Sequence, residues 1–146
     1  MENVADKLHR KVKHVRKDKN MFEQDYIMRV IRQVIRMIIM LLFHFDIDQD
    51  DEKLQKEMEQ QETLEPLLNL VDRGEIDEAE NRLYELVDGE DKKKLKTALL
   101  FYNYLNDKED SFLEEHDFSR DEIRDGVKRV ATLYGVAGMV EVFWEE

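Results

Sequence analysis

The chain contains no cysteine. Disulfides, cysteine-zinc sites and thiol nucleophiles are therefore excluded, and a reducing, cytoplasmic setting is compatible with the composition. Proline occurs once, at Pro66, and glycine five times in 146 residues. Sheet proteins need many tight turns, and tight turns draw on Gly, Pro and Asn. Their scarcity, beside abundant Leu, Glu, Lys and Met, predicts an all-α protein: a bundle of about five to seven helices joined by short loops. The length suits one domain with a real core.

Charge is unevenly spread. Residues 1–20 carry seven Lys/Arg against three Asp/Glu, a net of +4. Residues 46–91 carry four basic against eighteen acidic residues, and the whole chain has a net charge of −12. An acidic middle of this kind repels nucleic acid. It reads first as a solvated face that keeps the protein soluble, and second as a surface for a basic partner. Residues 1–20 have no apolar core of the kind a secretory signal needs. Val4, Leu8, Val12 and Val15 recur at helical spacing, but the stripe is thin. The first twenty residues are expected to be a basic, flexible arm on a single helical domain of residues 21–146.

The strongest element lies at 23–45. Ile27, Val30, Ile31, Val34, Ile35, Ile38, Leu41, Leu42 and Phe45 follow helical spacing, and Arg29, Arg32 and Arg36 share the opposite face. Asp25 falls in what would be the first turn of this helix, where its charge suits the dipole. From Met37 to Phe43 the polar face vanishes, so this half is expected to be fully enclosed. Three fates fit the helix, in descending order: the central core of a monomer, a homo-oligomer contact, or an in-plane membrane contact. The arginines interrupt any run long enough to span a bilayer. The acidic chain that follows makes anionic lipid a poor partner, so membrane association ranks last.

Asp46, Asp48, Asp50 and Glu57 occupy positions 1, 3, 5 and 12 of a calcium-loop spacing. The turn position holds Asp51 where glycine is required, and the apolar position holds Lys53, so the segment reads as an acidic loop capping the next helix. A polar helix at 51–62 points Leu54 and Met58 inward. Pro66 suits a first helical turn capped near Thr63, and Gly74 suits its end. A second helix follows with Asp77 as cap, and Gly89 closes it. Ala79 stands five residues after Gly74, small where two helices would cross, with Leu83 and Leu86 as filling. The form is a tetratricopeptide-like helical hairpin, though it occurs once and arrays need about three copies.

The next helix, 91–106, opens on a lysine run, Lys92–Lys96, that opposes its dipole and would find partners in the acidic middle. Ser119 and Glu122 form a capping box for a helix running to about Tyr134 and ended by Gly135. The apolar tail after it, with Val136, Met139, Val140, Phe143 and Trp144, is expected to pack back on the protein or on a second subunit.

No nucleophile elbow, phosphate-binding loop or dinucleotide fingerprint is present. His116, in Glu114-Glu115-His116-Asp117, lacks the i, i+4 ligand partner that metal binding on a helix needs. It reads as structural, and His44 as a core or interface residue. No catalytic, cofactor or metal residue is assigned.

Three stretches carry a resemblance. They are Asp25-Tyr26-Ile27-Met28-Arg29-x-Ile31, then Gly74-Glu75-Ile76-Asp77-Glu78-Ala79-Glu80-Asn81, then Phe118-Ser119-Arg120-Asp121-Glu122-Ile123-x-x-Gly126 with Tyr134-Gly135. Here the chain resembles an uncharacterised family of short all-helical proteins from Firmicutes. The resemblance spans about residues 21–144. It implies no activity, and it implies that such proteins often begin near Met21, which makes residues 1–20 an upstream extension.

The sequence thus points to a non-enzymatic, cytoplasmic protein that binds another protein or itself, with no cofactor. Tyr26, Arg29, Arg32, Arg36, Phe143 and Trp144 are the candidate interaction residues. A carboxylate-based or metal-dependent hydrolase using His116 is the alternative from a different class, and a peripheral membrane protein using residues 1–45 is the third.

Overall fold

In the computed structural model the backbone is described for residues 4–48 and 51–144, and the side chains for residues 22–48 and 51–144. The side chains of the basic arm, and Asp50 of the calcium-like spacing, lie outside the described residues. The elements are α1 (Val4–Phe43), α2 (Asp51–Glu59), α3 (Leu64–Asp72), α4 (Ile76–Leu86), α5 (Lys92–Asn106), α6 (Asp110–Glu115), α7 (Arg120–Leu133) and α8 (Ala137–Trp144). The all-helical bundle is as the sequence predicts, and there is no strand among the described residues.

α1 starts at Val4, well before the expected position near residue 23, so Asp25 sits in mid-helix and not in a first turn. At 1.5 Å per residue the helix is about 60 Å long. Its Ile31, Val34, Ile35, Ile38 and Ile39 are fully buried, and it packs on α5, α7 and α8. The expected complete enclosure of its C-terminal half does not occur. Met40 is 37% and Leu41 49% exposed. The helix enclosed on most sides is α5, where Leu95, Ala98, Leu99, Leu100, Phe101, Tyr102 and Leu105 are all buried. It can be, because it lies against α1, α3 and α7 together.

The stop signals behave as their chemistry requires. At Gly74 the backbone turns to φ +82°, and the N–H groups of Gly74 and Glu75 return to the carbonyls of Val71 and Leu70, at 2.9 Å each. This pair of hydrogen bonds closes the end of α3, and only a residue without Cβ adopts that φ freely. The hairpin of α3 and α4 then rests on α5 through α3, with Leu67, Leu70, Val71, Ala79 and Leu83 buried. The capping box of Ser119 and Glu122 is formed in both directions.

Two expected caps differ. Thr63 makes no side-chain cap bond, and α4 opens after Glu75, two residues earlier than a cap at Asp77 would allow. The closing turn at Gly74 already sets the entry to α4, so a side-chain cap is not needed to stop and restart the chain. The apolar tail is a helix, α8, packed on α1 and α7 with Val140 fully buried.

Candidate functional site

The exposed side of α1 ends in an ion-pair clamp. His44, at φ +55°, stops the helix, and its N–H reaches the Met40 carbonyl at 3.0 Å. The chain then reverses and buries Phe45 and Ile47. Arg36 holds the reversal with a two-pronged bond, its Nε and Nη2 each 2.9 Å from an oxygen of Asp46. Arg32, one turn earlier, donates from Nε to Asp48 at 2.8 Å and from Nη1 to Asp107 at 2.9 Å. The Asp48 N–H donates to Asp46 Oδ1 at 3.0 Å. The Arg36 guanidinium draws the Asp46 carboxyl below its ordinary range, and Asp46 in turn raises Arg36. Loss of water pushes Asp107 the other way, upward, with Arg32 opposing it.

This geometry redistributes the candidate residues. Arg32 and Arg36 are joined to the chain's own carboxylates, in the loop after α1 and at the end of α5. Asp46 and Asp48, two of the four calcium-spaced carboxylates, are the acceptors of those arginines. A third, Glu57, pairs with Lys96 of α5. Among the described residues no group of three or more His, Asp or Glu side chains could hold a metal ion. Tyr26 and Arg29 remain exposed on α1. Phe143 and Trp144 are half-buried against the core, and Lys128 lies 5.3 Å above the Trp144 ring. α8 joins them to the body of the protein through its packing on α1 and α7.

The histidines also differ from one another. His44 is exposed at the end of α1 and not in a core, because its left-handed backbone turns the side chain off the buried face. His116 is half-buried, with Nδ1 2.7 Å from the Phe112 carbonyl and its ring 4.4 Å from that of Phe112. The ring covers Gly74 so closely that a Cβ there would overlap the imidazole. Its chemistry in this setting is that of a wedge between the hairpin and α6.

Sequence reasoning missed the two buried polar clusters. Arg120, first residue of α7, is only 1% exposed. Its Nη1 donates to the Asn106 carbonyl at 2.6 Å, and its Nη2 to the Lys108 carbonyl at 2.8 Å and Asp110 Oδ1 at 2.9 Å. Asn106 passes the link to α1 by donating to the Met28 carbonyl at 2.9 Å. The second cluster joins α4 to α5: Tyr102 donates to Glu80 at 2.7 Å and lies 2.9 Å from the Tyr84 hydroxyl. Burial raises both the Glu80 carboxyl and the Tyr102 phenol above their ordinary ranges. An arginine at a helix start beside Ser119 was the one available signal for the first cluster; an ordinary capping box masks it.

What the surface does offer is apolar. Phe22 is 82% and Tyr26 40% exposed, and with Met40 and Leu41 they mark one side of α1. Fold and surface define an all-helical protein with a long leading helix that leaves Phe22, Tyr26, Met40 and Leu41 exposed. The chain belongs to a family of unknown function (DUF6483), whose model matches residues 21–135. That match takes in the body from α1's second half through α7 and leaves out residues 1–20 and α8. No curated protein and no solved structure matches the chain. No helix among the described residues is long and apolar enough to cross a membrane.

Proposed function

We propose that this protein is a non-enzymatic helical module that works by protein–protein association, with another protein or with itself, in the cytoplasm. The observation that carries the reading is the exposed apolar side of α1, on which Phe22, Tyr26, Met40 and Leu41 all stand open to water. Scattered exposed apolar residues are ordinary, but several in line on one helix are a reason to look for a partner. Arg29 beside them adds a charged contact at the rim, a common arrangement in protein interfaces. The rest of the molecule supplies a rigid frame: the Arg32 and Arg36 clamp fixes the end of α1, and the α3–α4 hairpin, tetratricopeptide-like in form, braces α5.

The test compares the wild-type chain with a Phe22→Ser, Met40→Ser, Leu41→Ser variant. All three positions are exposed, so helical circular dichroism should be unchanged. Wild type is expected to associate, seen as a higher mass by light scattering or as a protein cross-linked through α1 in the native cell. The variant should lose that association. If neither the mass nor the cross-linked set differs between the two chains, the reading is wrong.

A further inference from the structure

The backbone of α4 packs chiefly along α3. Two polar side chains, Glu80 and Tyr84, reach from α4 across to Tyr102 of α5. Tyr102 is fully buried and has a single proton to donate. That proton goes to Glu80 at 2.7 Å, so the 2.9 Å contact between the two phenols is a bond that Tyr84 donates. The three side chains form a directed chain, Tyr84 to Tyr102 to Glu80, ending on a carboxylate. Hydroxyl protons rotate about the C–O bond. Once Glu80 is protonated the chain can therefore run in reverse, with Glu80 donating to Tyr102 and Tyr102 to Tyr84. Neither link of the chain is lost in either state.

Charge separates the two states. Glu80 is half-buried, and the group that donates to it is neutral. Asp77 of α4 and Glu122 of α7 oppose its ionised form, and Arg129 of α7 favours it. Arg129 is engaged with the Tyr84 ring, its guanidinium carbon 5.3 Å from the centroid, and not in a direct ion pair with Glu80. The carboxylates of α3 lie elsewhere: Asp72 is held by Tyr104 and Lys108, and Glu65 is exposed. A carboxylate taken out of water without a bound cation favours its neutral form. We propose that Glu80 is a proton-operated latch: α4 seats more firmly on α5 when this carboxyl is protonated than when it is ionised. Burial, the largest influence on Glu80, raises its carboxyl above the ordinary range, which agrees with that direction. A folded-state value above the unfolded one gives stability that is complete below the unfolded value and lost as pH rises through the folded one. The latch needs no partner, so it stands or falls separately from the association reading.

Three measurements on the full chain test it. Glu80→Gln keeps the shape and the hydrogen-bonding capacity without the charge. It should melt above wild type at pH 7, and the gap should close as pH falls below 4.5, the ordinary glutamate value. By hydrogen exchange at pH 7, corrected for intrinsic rates, α4 should open several-fold more often in wild type than in Glu80→Gln. The Glu80 carboxyl carbon, followed by NMR in the wild-type chain, should titrate above 4.5. In Tyr102→Phe it should titrate higher still, because the donor that favours the ionised form is gone; a purely structural hydroxyl would leave that titration in place. A wild-type titration at or below 4.5 would overturn the latch whether or not the variants fold. So would a melting gap between wild type and Glu80→Gln that is the same at pH 4 as at pH 7.

Discussion

Gly126 shows how one missing methyl group can decide the packing of two helices. It lies inside α7, a place where glycine is intrinsically worse than alanine by about 1 kcal/mol. A Cβ at this position would overlap Cζ and the hydroxyl of Tyr102. Tyr102 cannot move aside cheaply, because it is fully buried and holds Glu80 and Tyr84 through its hydroxyl. Forced overpacking of this kind costs roughly 1–3 kcal/mol. Gly126→Ala is therefore expected to destabilise the protein by up to about 2 kcal/mol, against the helix-propensity trend. A urea titration checks it: the midpoint should fall with the slope unchanged. A higher midpoint would mean that α5 and α7 are free to separate, contrary to their close contact.

At the scale of elements, much was legible because helices announce their ends chemically. Gly74, Gly135 and the Ser119–Glu122 box are local signals, and each marks the boundary it should. The arginine clamp was not legible. Arg32 meets Asp107 across 75 residues and Arg36 meets Asp46 across a chain reversal, and ion pairs at such separations leave no periodic trace in a sequence. The acidic spacing of Asp46, Asp48, Asp50 and Glu57 imitates a calcium loop for the same reason, since the partners that occupy Asp46, Asp48 and Glu57 lie on other helices. Arg120 is the sharpest case, a charged residue in a polar capping motif that is fully enclosed by backbone carbonyls from the α5–α6 turn.

The loop between α4 and α5 carries a testable pH signature. Asp88 accepts from the N–H groups of Glu90 and Asp91 at 2.9 Å each, and Lys94 adds a bond at 3.3 Å. The backbone N–H groups of Asp91 and Glu90 lower the carboxyl from 3.8 to about 2. A folded-state value below the unfolded one means that the ionised form stabilises the fold. That contribution is complete above the unfolded value near 3.8 and disappears as pH falls toward about 2. Asp88→Ala should lower the melting temperature above pH 4 and converge toward wild type as pH falls through about 2, where the wild-type carboxyl takes up its proton. Melting temperatures across that range provide the check, and a difference that stays constant to pH 2 would refute the ionic role.

At the scale of the whole molecule, α8 raises the question of whether it belongs to the cooperative unit. The family match ends at residue 135, before α8 begins at Ala137. An eight-residue helix is far too short to hold itself together in water. Its order must come from contact with α1 and α7, where Val140 is fully buried and Trp144 lies beneath Lys128. If so, α8 unfolds only when α1 and α7 do, and the whole body melts as one. Trp144 is the single tryptophan of the chain, so its fluorescence reports α8 while far-ultraviolet circular dichroism reports all the helices. The two melting curves are expected to coincide. A fluorescence change that precedes the loss of helix would show α8 undocking first, and would place the boundary of the folding unit at the end of the shared family segment. The apolar side of α8, with Met139 and Val142 exposed, would then be part of a movable cover on α1. A single cooperative transition instead fixes that cover as permanent.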